Sequence, residues 1–296
     1  MWNPVFEKES KVSARSFKLA LMMLLFNGIL AIVALFNMYS VMEQVKMTAE
    51  VRYSSFLELY IFVAAIEFIL ILFLMPSITA SGISGERERQ TLDLMLTTRM
   101  TTGQIVIGKM MAAMQTMLLL MISSLPVLSL VFVYGGISGS DLAALLGYFA
   151  ITALFVGSMG LCFSALCKKT MLASVLTYLA ILILAVGTYS FNRFFFAVQS
   201  MNSSSLLYSV EEMTPQAGAG CYLLLLNPAV TFYLLIYRQA GSTETLETAI
   251  SQFGRMPENF VTAHWVGVSV LLQAGVAVLL LWVAARAIEP GHRRGR

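Results

Sequence analysis

Long apolar runs alternate with short polar segments along this chain. Crossing about 30 Å of hydrocarbon takes about 20 apolar residues at 1.5 Å per helical residue. Six runs meet that length, at 17–38, 57–78, 110–134, 142–166, 171–189 and 265–287. None shows the two-residue alternation of a barrel strand, so each is read as a helix that satisfies its own backbone. A seventh apolar stretch, 221–237, is short and carries Asn227-Pro228 in its middle. It predicts a broken helix that dips into the membrane or packs on its outer face, within an extracytoplasmic region at 192–262. The fold class expected is an all-α integral membrane protein, a single transmembrane domain over 1–296.

Composition agrees with the pattern. Of 296 residues, 58% are hydrophobic and 12% charged, against about 25% charged in soluble domains. The placement of charge says more than its sum. With the N-terminus inside, the inner segments hold fourteen of the nineteen Lys and Arg residues, among them Lys8, Lys18, Arg89, Lys109, Lys168 and Lys169. The outer segments hold Lys46, Arg52, Arg193, Arg238 and Arg255. This bias places both termini in the cytoplasm of a multi-pass protein of the cytoplasmic (inner) membrane. Tyr39, Tyr134, Tyr189 and Trp265 then fall at the outer interface and Trp282 at the inner one. The first apolar run is long enough to stay as a span rather than act as a removable signal. Cys162, Cys167 and Cys221 show no metal or disulfide spacing and read as small apolar fillers.

The most informative polar segment is 81–109, the cytoplasmic region between the second and third spans. Pro76 and the glycines Gly82 and Gly85 mark a helix break at the membrane edge. Glu86 and Glu88 follow in what reads as the first turn of a new helix, where carboxylates suit the positive end of the dipole. Leu92, Met95 and Leu96, at i, i+3 and i+4, give it a short apolar stripe. Thr101 or Thr102 can cap the helix that leads into the third span. The picture is a short amphipathic helix lying across the end of a bundle, suited to docking a partner, to lying on lipid headgroups, or to plain solvation.

The string E-R-E-R-Q-T-L-D-L-M-L-T-T at 86–98, followed by G-Q-I-V-I-G-K ending at Lys109, resembles the loop after the second span of ABC-2 type transporter permeases. There the pattern is roughly E-R-E-x-x-T-L-[DE]-x-L-L-x-T-P, then a hydrophobic stretch ending G-K. The opening N-P-V-F-E-K-E, Asn3 to Glu9, resembles that family's N-terminal helix. The resemblance implies a membrane subunit of an ABC exporter without its own ATPase site. It implies that this chain binds no cofactor, and that ATP and Mg2+ sit on a separate ABC ATP-binding subunit present in two copies. It also implies a second permease chain, identical or related, in the lipid bilayer, and no nucleic acid. The contact set it carries over is Glu86, Arg87, Glu88, Thr91, Leu92, Asp93 and Leu96. Arg99 stands where the family has Pro, either extending the helix or adding a contact.

Other features compete for attention. Glu67 lies in the middle of the second span, where a carboxylate is expensive to bury. It fits a polar tie between helices, with Asn27 or a hydroxyl as partner, or a substrate or proton site. The alternative function is therefore an ion- or proton-coupled secondary transporter using Glu67. Gly103 to Lys109 has P-loop spacing, but Met110 replaces the required Ser or Thr and no strand precedes it. Ser84 and Ser138 sit in G-x-S-G strings that, with His264, outline a weak case for a protease. Met110, Met114, Met117 and Met121 share one helical face, which is more often packing than ligand. No metal site is expected.

Overall fold

A computed structural model describes residues 3–48, 53–97, 100–133, 137–204, 219–239 and 259–289. Among these, the regular structure is entirely helical. Helix α1 (Pro4–Ala14) is followed by α2 (Phe17–Thr48) and α3 (Tyr53–Thr79). The short helices α4 (Ser84–Glu88) and α5 (Leu92–Leu96) precede α6 (Thr102–Val133) and α7 (Gly139–Leu166). Helix α8 (Thr170–Leu182) runs through a π-helical turn, Ile183–Gly187, into α9 (Thr188–Ser204). A 3-10 segment, Ala219–Leu226, leads to α10 (Pro228–Gln239), and α11 (Phe260–Ala263) to α12 (Trp265–Ile288). Six described helices are long and apolar enough to cross a membrane, seven if the bent pair around Asn227 counts as one span. The chain is an all-α integral membrane protein.

The helices outrun the apolar windows. The first continues from the expected residue 38 to Thr48, where Lys46 pairs with Glu43 one turn away. The helix entering the third span begins at Thr102, capped by Thr101 as expected and ahead of the apolar run at 110. Hydropathy marks the lipid-embedded part, whereas a helix extends for as long as its backbone bonds are favourable.

The chain forms two compact units, Met1–Tyr178 with Val276–Arg296, and Leu179–Gly275. In the first, α7 is the central helix and most of its side chains are buried, while α2 leaves most of its surface to the surroundings. The α3–α7 approach depends on missing side chains. A methyl group at Gly157 would overlap Met75 and come within 2.9 Å of Met110, and one at Gly160 would overlap Thr79. Close backbone approach through small residues is how helices associate where lipid removes the hydrophobic drive.

In the second unit, the 3-10 segment and α10 meet at 80°. Pro228 cannot continue a hydrogen-bond ladder, and Asn227 organises the corner. Its Oδ1 accepts from the backbone N–H groups of Ala229 and Val230, capping α10. Its Nδ2 donates to the Ala185 carbonyl and to Thr188 Oγ1, each at 2.9 Å. Ala185 lies in the π-helical turn, so one side chain serves both irregularities. Cys221, Leu224, Leu225, Leu234 and Trp265 form the apolar cluster of this unit. Much of the expected 192–262 region, namely 205–218 and 240–258, lies outside the described residues, as does Tyr134.

Candidate functional site

The polar region between α3 and α6 is built onto the ends of the neighbouring helices. Helix α4 has only five residues, too few to hold by itself. Its first N–H groups need acceptors, and Ser164 Oγ on α7 accepts from both Ile83 N and Ser84 N at 2.9 Å. Arg87 reaches the C-terminal end of α7, donating to the carbonyls of Ala165 at 2.9 Å and Cys167 at 2.7 Å. Glu88 accepts from the backbone N–H of Thr170 at 2.8 Å and from its hydroxyl, capping the start of α8 from across the chain. Charges of the favourable sign thus face both helix termini.

Glu86 points the other way. Lys109, at the start of α6 and only 9% exposed, bridges Glu86 at 2.8 Å and Glu9 of α1 at 2.5 Å. Thr91 Oγ1 donates to the second Glu86 carboxylate oxygen. Burial pushes the Glu86 carboxyl up, but the hydrogen bonds from Lys109 and Thr91 and the charges of Lys109 and Lys8 outweigh it. They hold the group below its ordinary value. Helix α1 is anchored further by Asn3, whose side chain caps Val5 N and donates to the Gln104 carbonyl at 2.6 Å. A Cβ at Gly108 would sit 2.8 Å from Val5 Cβ and 2.9 Å from Asn3 Oδ1, so glycine there is a condition of the docking. The opening N-P-V, the E-R-E and the G-K strings are three parts of one contact.

A single amphipathic helix through this region was expected; two short ones are found. Gln90 adopts φ 59°, and Thr91 N bonds Glu86 O while Gln90 N bonds Arg87 O. This pair is a Schellman termination with a residue other than glycine in the left-handed position. Beyond it, Leu92 is 2% exposed and packs inward, whereas Leu94 is 67% exposed. Arg89, Gln90, Asp93 and Thr97 are exposed too, and Met95 and Leu96 are half-buried. The side chains of Glu86, Arg87 and Leu92 serve the chain's own framework, and the outward face belongs to Arg89, Gln90, Asp93, Leu94 and Thr97. A groove of about 540 Å³ runs between this face and α1, lined by Pro4, Lys8, Arg89, Leu94, Met95 and Met100. Arg99 lies outside the described residues. Thr101 caps α6 reciprocally with Gln104, Thr101 Oγ1 accepting from Gln104 N and Gln104 Oε1 from Thr101 N.

A family model described as ABC-2 family transporter protein matches residues 18–286. The chain belongs to the ABC-2 transporter family. No curated protein matches it. As an ABC-2 membrane component, the chain has the lipid bilayer and an ABC ATP-binding subunit as partners. The match begins after α1, which the ion pair and cap described above join to the ABC-2 bundle.

The other candidates fall elsewhere. Glu67 is fully buried on α3 and accepts a hydrogen bond from Ser124 Oγ of α6 at 2.6 Å. Asn27 of α2 donates to the adjacent Ser123 Oγ at 2.8 Å and to Met23 O. Both residues thus tie their helices to α6, through neighbouring serines rather than to each other. Met110, Met117 and Met121 are buried in packing. The P-loop-like string is plain α-helix, with Lys109 committed to carboxylates. Ser84 Oγ donates to Ala80 O inside the framework, and Ser138 caps α7 with Asp141. No group of three metal-ligating side chains occurs among the described residues.

Sequence reasoning missed Glu9, Lys109, Ser164 and Thr170 as parts of this site. The G-K string carried the one usable signal, a basic residue at the foot of an apolar span, and it read first as topology.

Proposed function

We propose that this ABC-2 protein is the permease subunit of an ATP-driven exporter, and that α4–α5 receives the force. The observation that carries this reading is the framework around α4. One short helix is bonded to the starts of α6 and α8, to the end of α7, and through Lys109 to α1. A push on the exposed face of α5 would reach four elements through stiff, charge-assisted hydrogen bonds. Such a connection suits a rigid-body switch of the bundle between two access states. ATP and Mg2+ would be bound by two copies of a separate ATP-binding subunit, and a second permease chain, identical or related, would complete the pathway. The excess of Lys and Arg at this end supports a cytoplasmic location for it and for both termini, in the cytoplasmic membrane.

In this reading the carried-over residues divide by role. Glu86, Arg87, Glu88, Thr91 and Leu92 hold α4–α5 in place. Asp93 and Leu94, with Gln90 and Thr97, meet the partner. The double substitution Asp93→Lys and Leu94→Glu tests this. It reverses the charge and removes the apolar tip of the exposed face and leaves the side chains of Glu86, Arg87, Glu88 and Lys109 unaltered. The expected result is a protein that inserts and melts as the wild type but fails to bind or stimulate the ATP-binding subunit. Full transport and full ATPase stimulation by this variant would remove the assignment.

A further inference from the structure

A second polar pocket, which shares Lys8, Glu86 and Arg89 with the first, has a volume of about 630 Å³. Its walls include Lys8 of α1, Lys18 at the start of α2, and Arg89 just after α4. They also include Ile78 at the end of the second span and Leu161 in the last turns of the fourth. The pocket therefore sits where apolar spans give way to polar residues, the level of lipid headgroups.

The charges in it are unequally served. Glu9 and Glu86 are both bound by Lys109, and Glu88 accepts from Thr170. Each carboxylate already has its donor. Among the described residues, the side chains of Lys8, Lys18 and Arg89 enter no hydrogen bond or ion pair. With Lys109 the pocket holds four basic and three acidic side chains, so one positive charge is in excess among cations drawn from several elements, and Lys8 also acts electrostatically on Glu86. Beside them Val12, 62% exposed, and the half-buried Ile78 give the pocket an apolar edge, with Leu161 buried behind it. A free anion would satisfy the cations alone; an amphiphile with a phosphate head would satisfy both parts.

We propose that this pocket binds the phosphate group of an anionic amphiphile, with Lys8, Lys18 and Arg89 on the phosphate and the acyl portion along Val12 and Ile78. Such a ligand would tie α1, α2 and the α4–α5 connection together at the membrane edge. The inference does not depend on transport direction or on ATP coupling.

Native mass spectrometry of the full-length chain in neutral detergent tests it, with phosphatidylglycerol and phosphatidylcholine of matched acyl chains as probes. One saturable phosphatidylglycerol adduct is expected, well above any phosphatidylcholine signal. Each basic residue at a membrane surface is worth about a factor of five in binding, so Lys8→Gln, Lys18→Gln and Arg89→Gln together weaken the adduct on the order of a hundredfold. Lys11→Gln, which lies outside the pocket and pairs with Glu7, leaves it unchanged. If the triple variant melts early, Arg89→Gln alone is read, with about a fivefold loss expected. Inorganic phosphate titrated into the same micelles separates the sources. Displacement of the lipid assigns the pocket to phosphate as such, and persistence of the adduct assigns it to the lipid. Equal binding of the two lipids, or unchanged phosphatidylglycerol binding by the variants, overturns the proposal.

Discussion

Lys109 illustrates how much a single side chain can organise here. Two carboxylates from residues 9 and 86 converge on it in a setting that is mostly dry. Removing one partner of a buried pair leaves uncompensated charge and costs about 3–5 kcal/mol. Glu9 retains about a third of its exposure, so solvent softens the loss. Lys109→Met is expected to lower stability by about 2–3 kcal/mol and to make α1 more accessible to trypsin at Lys8 and Lys11. Adding Glu9→Gln and Glu86→Gln to that variant should recover most of the melting temperature, because the stranded charges are then gone. Unchanged melting in the single variant would show that the pair is ornamental. None of this geometry was visible along the chain, because Lys109 meets Glu86 from 23 residues away and Glu9 from 100. Glu67 behaved differently: its depth in the second span announced a polar partner on another helix, and Ser124 supplies it.

At the scale of elements, the break between α4 and α5 decides which residues face outward. The hydrophobic spacing of Leu92, Met95 and Leu96 fits one continuous helix, and the pattern contains no glycine at the turning point. Gln90 nevertheless takes the left-handed conformation, a cost of about 1–2 kcal/mol outside glycine. The Schellman bonds and the Thr91–Glu86 hydrogen bonds offset it. Gln90→Gly is therefore expected to raise stability by about 1 kcal/mol, measured by thermal unfolding in detergent. A marked loss would mean that the Gln90 side chain itself contributes. The π-helical turn at Ile183–Gly187 was equally hidden, since its stray carbonyl is satisfied by Asn227, some forty residues later. The Asn-Pro interruption itself was plain in the sequence, and so was the bend it causes.

For the whole molecule, hydropathy was enough to place six spans, because lipid demands long apolar helices whatever their tertiary contacts. The helices themselves run past the apolar windows into polar surroundings, as α2 does to Thr48. The family was readable in the E-R-E and G-K strings, and the match over residues 18–286 agrees with it. The roles of individual residues within those strings were not readable, because the motif does not say which side chains turn inward. The central claim is that α4–α5 is held by Glu86, Arg87, Glu88 and Lys109 and presents its opposite face to the ATP-binding subunit. Disulfide cross-linking of single cysteines from residue 88 to 97 to the co-expressed ATP-binding subunit, in native membranes, tests it most directly. Cross-links are predicted at Arg89, Gln90, Asp93, Leu94 and Thr97, and their absence at Leu92. An even ladder through all positions, or none with both subunits well expressed, would contradict it.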